Sequence, residues 1–190
     1  MRHALDPEPR PLPEPPPLKV AILVLPDATA ALATSGMVEV LSSVGRGRYE
    51  KLVGAPAPGG PLVEVSLVSP EGGAVRMASG LVLSPTLPIL AVSPPAASFP
   101  DVICIGSLSV APDRPLGAPE AVNRWLRASL DAGAVLASVC SGAMVLAEAG
   151  LLDGGEATTH WGYCAGLRQR HPRVRVHAER CWSRPAPAGA

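Results

Sequence analysis

Apolar and polar residues follow two different spacings along this chain, and these spacings alternate from one segment to the next. Continuous apolar runs at residues 19–25, 101–105 and 134–139 are typical of strands buried on both faces of a parallel sheet. Residues 62–68 instead alternate apolar and polar side chains, which indicates a strand with one solvated face. Apolar positions at helical spacing in residues 31–44 and 119–132 predict two helices between the strands.

Glycine and proline predict where several of these elements end. Residues 70–73 carry a turn signal, and residues 75–77 then predict a short strand that returns as a hairpin. Residues 85–100 contain five prolines and no periodicity, so they are predicted to form a loop. Further along the chain, residues 162–170 predict a helix and residues 173–177 a short strand.

Cys140 falls on the turn between the apolar strand that ends at Val139 and a helix predicted over residues 141–149. A side chain that projects from such a sharp turn needs small residues two positions before and two positions after it, and Ser138 and Gly142 meet this requirement. The pattern therefore predicts a nucleophile elbow with Cys140 at its tip. The alternative is a small buried side chain without chemistry, because free cysteine is among the most buried residue types.

Strands that alternate with helices, with the elbow between a strand and a helix, predict an α/β protein. The expected architecture is a flavodoxin-like, open and mostly parallel sheet with helices on both faces. Ligands bind at the carboxyl ends of the strands in such sheets. Cys140, Gly106 and the residues after Leu25 all follow predicted strand ends, so we expect them to meet at one crevice.

The composition limits the partners that the chain could have. Its 190 residues suffice for one core, and this core must be built mainly from aliphatic side chains because aromatic residues make up only 3 %. Lysine plus arginine balance aspartate plus glutamate at 16 each, which leaves no net charge to attract nucleic acid or anionic lipid. No apolar run approaches the length of about 20 residues that spans a bilayer, and the N-terminus lacks a signal core, so we expect a cytoplasmic protein without membrane contact.

The same reasoning divides the chain into three parts. Residues 1–17 are rich in proline and interspersed charge and are predicted to be a disordered leader. Residues 18–179 form the predicted domain, and residues 180–190 are predicted to be a disordered tail. Four cysteines lack the spacing of a disulfide framework, so we expect free thiols in a reducing compartment. They are Cys104, Cys140, Cys164 and Cys181.

The segment 138–154, read as Ser-Val-Cys-Ser-Gly-Ala-Met-Val-Leu-Ala-Glu-Ala-Gly-Leu-Leu-Asp-Gly, and Ala-Thr-Thr-His-Trp at 157–161 strongly resemble the DJ-1/PfpI superfamily, which is class I glutamine amidotransferase-like. More narrowly, they resemble the N-terminal domain of AraC-type transcription regulators. The resemblance extends from Val20 to Glu179, and Cys140 with His160 is its most specific part. It implies the same α/β fold with a strand, a nucleophile elbow and a helix, here in a truncated or frame-shifted chain.

The resemblance also implies roles for particular residues. Cys140 matches the elbow cysteine of the family and His160 the histidine that some members place beside it, so these two are the candidate catalytic residues. The backbone N–H groups of Ser141 and of the Gly106–Ser107 turn match the groups that bind an oxyanion or ligand. The family also places an acid six residues before the carboxylate that Glu39 matches, and that position is Ala33 here. Because general acid–base help contributes about 10² to 10⁴ in rate, we expect the chain not to be catalytically competent.

Two features have structural alternatives that the sequence leaves open. His160 could orient or deprotonate Cys140, or it could cap the helix that follows it. Its spacing to Cys164 would suit a metal on a helix, but no further ligands recur nearby, so we expect neither a metal nor a cofactor. Arginines cluster near the C-terminus, where they could touch nucleic acid or form a solvated face and a charged strand edge. They are Arg168, Arg170, Arg173, Arg175, Arg180 and Arg184.

Two functions from different classes follow from these observations. The first is a ligand- or redox-sensing module of a transcription-regulator type that lacks its DNA-binding domain. The second is a cysteine-dependent enzyme, a hydrolase or hydratase acting on a small carbonyl, amide or related electrophile, with Cys140 as nucleophile and His160 as base. The absent acid favours the first. Its expected partners are a small-molecule ligand and a second copy in a homodimer, with no direct contact to nucleic acid, and an unpaired sheet edge predicts self-association.

Overall fold

The computed structural model of the chain describes residues 16–44 and 62–183, which form a large sheet with flanking helices and a small second sheet. The strands are β1 (Leu18–Leu23), β2 (Val63–Ser69), β3 (Gly73–Arg76), β4 (Val82–Pro88), β5 (Val102–Ile105), β6 (Val135–Ser138), β7 (Glu156–Ala157) and β8 (Arg175–Val176). The helices are α1 (Ala31–Ser42), α2 (Glu120–Asp131), α3 (Ala143–Glu148) and α4 (Cys164–Arg170). Short 3₁₀ turns cover Ile89–Val92, Cys140–Gly142 and Trp161–Tyr163. Residues 1–15 of the predicted leader and 184–190 of the predicted tail lie outside the described residues.

The large sheet has the strand order β3-β4-β2-β1-β5-β6, and all neighbouring pairs are parallel except β3 and β4. Apolar side chains cover both of its faces. Ala21 and Leu23 of β1 belong to the larger core, to which α2 and α3 contribute, whereas Val24 packs with Met77 and Ala31 in a second cluster. The flavodoxin-like α/β fold is therefore confirmed, and the carboxyl ends of β1, β5 and β6 lie next to one another at one side of the sheet.

Helix α2 shows why its sequence folds as predicted. Val122, Trp125, Leu126 and Ser129 are buried at helical spacing, so one face of the helix packs on the sheet. Gly133 follows the helix with a φ of 99°, a conformation that glycine adopts without steric cost. In the part of the chain that the structure describes, no helix is both long and apolar enough to cross a membrane.

Strand β4 corrects the prediction that residues 85–100 form a loop. Proline has no backbone N–H to donate, so it is normally excluded from paired positions of a sheet. The pairing of β3 with β4 shifts in register between Gly73 and Val75, which leaves Ser84 and Pro85 of β4 opposite a single residue of β3. Pro85 therefore lies at a bulge, where the ladder of hydrogen bonds does not require its N–H. The sequence of β4 shows no regular alternation of apolar and polar residues, because the bulge interrupts the strand.

Residues 180–183, which the sequence analysis assigns to the tail, contact the small parallel sheet of β7 and β8. The Thr158 N–H donates to Ser183 Oγ at 2.9 Å, and the Thr158 hydroxyl donates to the Arg180 carbonyl at 2.8 Å. Arg180 also donates to the Glu156 carboxylate at 2.5 Å, and this hydrogen bond lowers the pKa of Glu156 below its ordinary value. The packed structure thus continues beyond the predicted boundary at residue 179.

A buried hydroxyl pair joins β2 to β4 and generates a first prediction. Ser69 Oγ lies 2.7 Å from Thr86 Oγ1, Thr86 donates to the Gly73 carbonyl at 2.8 Å, and the Gly72 N–H donates to Ser69 Oγ at 3.0 Å. Ser69→Ala removes the acceptor of the Gly72 N–H and a partner of Thr86. We expect the free energy of unfolding in urea to fall by about 1–3 kcal/mol, because buried polar groups then lose their partners.

Ser43→Ala is the matched control for this prediction. The Ser43 hydroxyl also donates one hydrogen bond, to the Val40 carbonyl at 2.6 Å, but in an exposed position where water can replace it. The control is expected to change the free energy of unfolding by no more than about 0.5 kcal/mol. Equal losses in the two variants would show that the buried pair adds nothing to the junction of β2 and β4.

Candidate functional site

Cys140 lies at a sharp turn directly after β6, as the elbow prediction requires. Val139 is still extended, with φ −119° and ψ 135°, whereas Cys140 has a φ of 58°, which is uncommon for a residue with a side chain. The 3₁₀ turn Cys140–Gly142 then leads into α3. Cys140 is half-buried. A strained backbone that persists in this way is typical of a functional position.

Gly142 permits the elbow to lie against the end of β5. A Cβ atom at this position would lie 2.6 Å from the carbonyl oxygens of both Ile105 and Gly106, which is closer than atoms of this kind approach. The close approach of these two backbone segments explains why the residue two positions after Cys140 lacks a side chain.

The buried Ser141 hydroxyl ties the elbow to the loop after β5. It accepts a hydrogen bond from the Leu108 N–H at 2.8 Å and donates to the Leu108 carbonyl at 3.0 Å. Ser107 Oγ lies 3.3 Å from Ser141 Oγ, and Ser107 is the donor because the single hydroxyl hydrogen of Ser141 is already used. The structure thus brings Ser141 and Ser107, both predicted as ligand-binding residues, into direct contact beside Cys140.

The loop after β1 joins the same region. Thr29 and Leu108 form an isolated β-bridge, in which the Ala30 N–H donates to the Ser107 carbonyl and the Ser109 N–H to the Ala28 carbonyl, both at 2.8 Å. The loops after β1, β5 and β6 therefore contact one another at one side of the sheet. Asp27, in the loop after β1, has a φ of 57° and forms an ion pair with Arg76 at 2.8 Å.

Helix α1 buries Thr34 against Gly106, next to the position where the family resemblance places an acid. Ala33 is half-buried and Leu32 is 88 % exposed, whereas Thr34 is fully buried. The Thr34 hydroxyl donates to the Ala30 carbonyl at 3.1 Å, and its oxygen lies 3.4 Å from the point where a Cβ on Gly106 would stand. The position of α1 that lies against Gly106 is thus occupied by a hydroxyl side chain. This hydroxyl is already hydrogen-bonded to the Ala30 carbonyl at the start of the helix.

His160 is exposed, and its ring caps the 3₁₀ turn that follows it. Its Nδ1 accepts a hydrogen bond from the Gly162 N–H at 3.2 Å, and the ring packs against Trp161 and Tyr163 with centroid distances of 5.1 and 5.9 Å. The structure thus contains the capping contact, which is one of the two alternatives that the sequence left open. Thr159, which the sequence analysis did not single out, is the residue that reaches the elbow, because its hydroxyl donates to the Cys140 carbonyl at 2.9 Å.

The other three cysteines differ from Cys140 in their surroundings. Cys104 is half-buried on β5, and burial raises the pKa of its thiol. Cys164 is buried at the start of α4, where its sulfur lies 3.8 and 3.9 Å from the carbonyl oxygens of His160 and Thr159. Cys181 is exposed. The chain therefore supplies its own reference thiols for a measurement of reactivity at Cys140.

The basic cluster near the C-terminus makes contacts inside the protein. Arg168 donates to the Val176 carbonyl at 2.9 Å, and Arg170 donates to the Arg114 and Pro112 carbonyls. Carboxylates engage the others, since Arg173 pairs with Asp153, and Arg175 and Arg180 with Glu156. Arg184 lies outside the described residues. A charged, solvated face is thus the interpretation that these contacts support.

A surface cleft of about 440 Å³ lies beside α4 and is not lined by any of the predicted site residues. Its charged groups already have partners, because Arg173 pairs with Asp153 and the Glu148 carboxylate accepts the Leu116 and Ala118 N–H groups. Burial, reinforced by the charge of Arg170, lowers the pKa of His171 at this cleft.

The fold and the elbow define an α/β protein with a half-buried cysteine at the tip of a strand-to-helix turn. Residues 19–182 match the model of the DJ-1/PfpI family, and the chain belongs to that family. It is 32 % identical over 154 residues to a protein described as an uncharacterized protein in the cpoL 5' region of Streptomyces lividans, a match that covers 81 % of this chain and 95 % of the relative.

Two further comparisons concern proteins with described functions. An isonitrile hydratase of Pseudomonas putida is 37 % identical over 109 residues, which cover 54 % of this chain and 42 % of the hydratase. The crystal structure of an AraC family transcriptional regulator from Pseudomonas putida is similar with a TM-score of 0.63 and 23 % identity, covering 89 % of this chain and 80 % of that chain. The second comparison shows a shared fold.

The close approach at Gly142 generates a second prediction. Gly142→Ala would place a methyl group against two carbonyl oxygens at 2.6 Å, so the elbow and the end of β5 must separate. We expect the free energy of unfolding in urea to fall by about 1–3 kcal/mol, the usual cost of overpacking. The rate of alkylation of Cys140 should change as well, because the elbow itself is displaced.

Gly36→Ala is the matched control, since Gly36 lies within α1 and a Cβ there would meet no atom within 4 Å. Alanine favours the helix, so this variant is expected to gain about 0.5–1 kcal/mol. A neutral or stabilising effect of Gly142→Ala, like that of the control, would contradict a tight elbow.

Proposed function

We propose that this chain is a ligand- or redox-sensing module of the transcription-regulator type, with the Cys140 thiol as the sensing group. The small molecule would bind in the crevice where the loops after β1, β5 and β6 meet. The similar fold of the AraC family regulator supports the regulator assignment. The engagement of the C-terminal arginines within the protein supports a module that makes no direct contact with DNA.

One observation carries this proposal: the polar side chains of His160 and Thr34 are hydrogen-bonded to the backbone. The His160 Nδ1 accepts the Gly162 N–H, and the Thr34 hydroxyl donates to the Ala30 carbonyl. A proton shuttle needs a side chain that is open to exchange a proton with the nucleophile or substrate. These two groups instead bond to the backbone, which suits a thiol that captures one molecule and holds it.

Two classes of small molecule, peroxides and carbonyl compounds, would react with such a thiol. A peroxide would be attacked by the thiolate sulfur at one oxygen, which breaks the O–O bond, leaves a sulfenic acid and releases the second oxygen as water or an alcohol after protonation. A small aldehyde or ketone would form a sulfur–carbon bond, and its carbonyl oxygen would take a proton to become a hydroxyl. The backbone N–H groups of Ser141 and the Gly106–Ser107 turn would stabilise that oxygen while it is charged.

The reactivity of Cys140 relative to the other thiols tests this proposal. We expect iodoacetamide at neutral pH to modify Cys140 at least about tenfold faster than the exposed Cys181. A sensing thiol must be more reactive than an ordinary exposed thiol. Mass spectrometry of the cysteine peptides during the reaction gives all the rates from one sample. Burial raises the pKa of the Cys104 thiol, so Cys104 should react more slowly than both.

A rate at Cys140 equal to or below that of Cys181 would remove the basis for a sensing thiol. Cys140→Ser provides the control for peptide assignment. A substoichiometric amount of hydrogen peroxide, followed by a sulfenic-acid-specific probe, should label Cys140 first if the captured species is an oxidant. Protection of Cys140 from alkylation by a small carbonyl compound should be seen if the species is an electrophile.

The second candidate is a cysteine-dependent enzyme of the hydratase type, which the 37 % identity to the isonitrile hydratase and the strained elbow favour. If it holds, an isonitrile should be converted over many turnovers, and Cys140→Ala should abolish product formation. His160→Gln separates the two roles of the histidine. Loss of about 10²-fold in kcat would identify a base, whereas an unchanged kcat would identify a cap. A single bound equivalent without product supports the sensing module.

A further inference from the structure

The peptide group between Cys140 and Ser141 connects Thr159 with the elbow. The Thr159 hydroxyl donates to the Cys140 carbonyl at 2.9 Å. This peptide is trans and planar, so its N–H, which belongs to Ser141, points in the direction opposite to its carbonyl. A group that fixes the Cys140 carbonyl therefore also fixes the direction of the Ser141 N–H. This N–H is one of the groups that the family resemblance assigns to the binding of an oxyanion or ligand.

The Ser141 N–H has no acceptor among the residues that the structure describes. Ser141 is fully buried and its hydroxyl bonds to Leu108, but no hydrogen bond from its N–H is found within residues 16–44 and 62–183. Buried N–H groups are almost always paired, because an unpaired one costs free energy. An oxygen atom bonded to the sulfur of the neighbouring Cys140, or to a carbon on that sulfur, would be an acceptor for this N–H.

The chain on both sides of Thr159 is attached to the rest of the protein, so the Thr159 hydroxyl is held in position. On one side, the Thr158 hydroxyl donates to the Arg180 carbonyl at 2.8 Å. On the other side, the sulfur of the buried Cys164 lies 3.9 Å from the Thr159 carbonyl oxygen. Groups that are positioned before a reaction need no reorganisation during it, and this makes their contribution to the reaction larger.

We propose that Thr159 is a positioning residue, which directs the Ser141 N–H toward an oxygen carried by the Cys140 side chain and strengthens it as a donor. The inference rests on the proposed function, because it assumes that Cys140 captures a carbonyl compound. Hydrogen bonds polarise one another, so donation to the Cys140 carbonyl makes the N–H of the same peptide a better donor. Thr159 thus acts on the captured oxygen through the peptide and does not touch it.

Two reactions of the same sulfur separate this role from a structural one. When a ketone is captured, the Cys140 thiolate sulfur forms a bond to the carbonyl carbon, and the π electron pair of the C=O moves to the oxygen. This oxygen is negatively charged until it takes a proton, and the Ser141 N–H donates to it. Alkylation by iodoacetamide instead forms a bond to a saturated carbon and releases iodide, so no oxygen becomes charged. Thr159 should therefore affect the first reaction and not the second.

Thr159→Val tests the proposal, because it removes the hydroxyl and keeps the shape of the side chain. Trifluoroacetone is the probe, since its adduct is detected by fluorine NMR and its Kd follows from the protection of Cys140 against iodoacetamide. We expect the variant to raise this Kd at least about fivefold, as the loss of one hydrogen bond would. Its rate of alkylation by iodoacetamide should change by less than about twofold. Thr159→Ser keeps the hydroxyl and should restore the Kd to within about twofold of the wild type.

Thr158→Val is the matched control, because it also loses one hydroxyl, which donates to the Arg180 carbonyl and not to the elbow. Its Kd and alkylation rate should both stay within about twofold of the wild type. An unchanged Kd in Thr159→Val, an equal loss in both reactions, or a wild type that forms no adduct would each overturn the role of Thr159. The proposed function is judged separately, by the alkylation rate of wild-type Cys140 relative to Cys181.

Discussion

The two hydrogen bonds between the Ser141 hydroxyl and the Leu108 backbone hold the site of this protein together. The Leu108 N–H donates to this hydroxyl, the Leu108 carbonyl accepts from it, and Ser141 is fully buried. A buried polar group that is satisfied in this way stabilises one arrangement, since any separation would leave several groups without partners. The loop after β5 and the elbow therefore behave as one unit, and the β-bridge at Thr29 adds the loop after β1.

This linkage explains how Cys140 can keep an uncommon backbone conformation. A φ of 58° costs a residue with a side chain on the order of 1–2 kcal/mol, and it persists only where the surroundings determine it fully. The Ser141 hydroxyl fixes the chain directly after Cys140, and the Cys140 carbonyl accepts a hydrogen bond from the Thr159 hydroxyl. The absence of a side chain at Gly142 lets the backbone close around these bonds.

The sequence was sufficient for the elements whose signals are local and regular. The apolar run before Cys140 and the small residues around it predicted the turn, and the spacing of Val122, Trp125 and Leu126 predicted α2. β4 was not predicted, because a proline such as Pro85 normally indicates a loop, whereas here it lies at a bulge within a strand. Contacts over long sequence separation, such as that of Thr159 with the Cys140 carbonyl, have no local signal at all, although a hydroxyl after a short strand is a hint.

Helix α1 is attached to the sheet by few buried side chains. Thr34 is its fully buried residue, whereas Leu32 and Val40 are 88 % and 66 % exposed. Segments with so little burial detach at a small fraction of the free energy of global unfolding. Because Thr34 borders Gly106, a loosening of α1 would uncover the end of β5, whereas the elbow is held by the hydrogen bonds of Ser141. Amide hydrogen exchange along α1 measures how often this helix loosens.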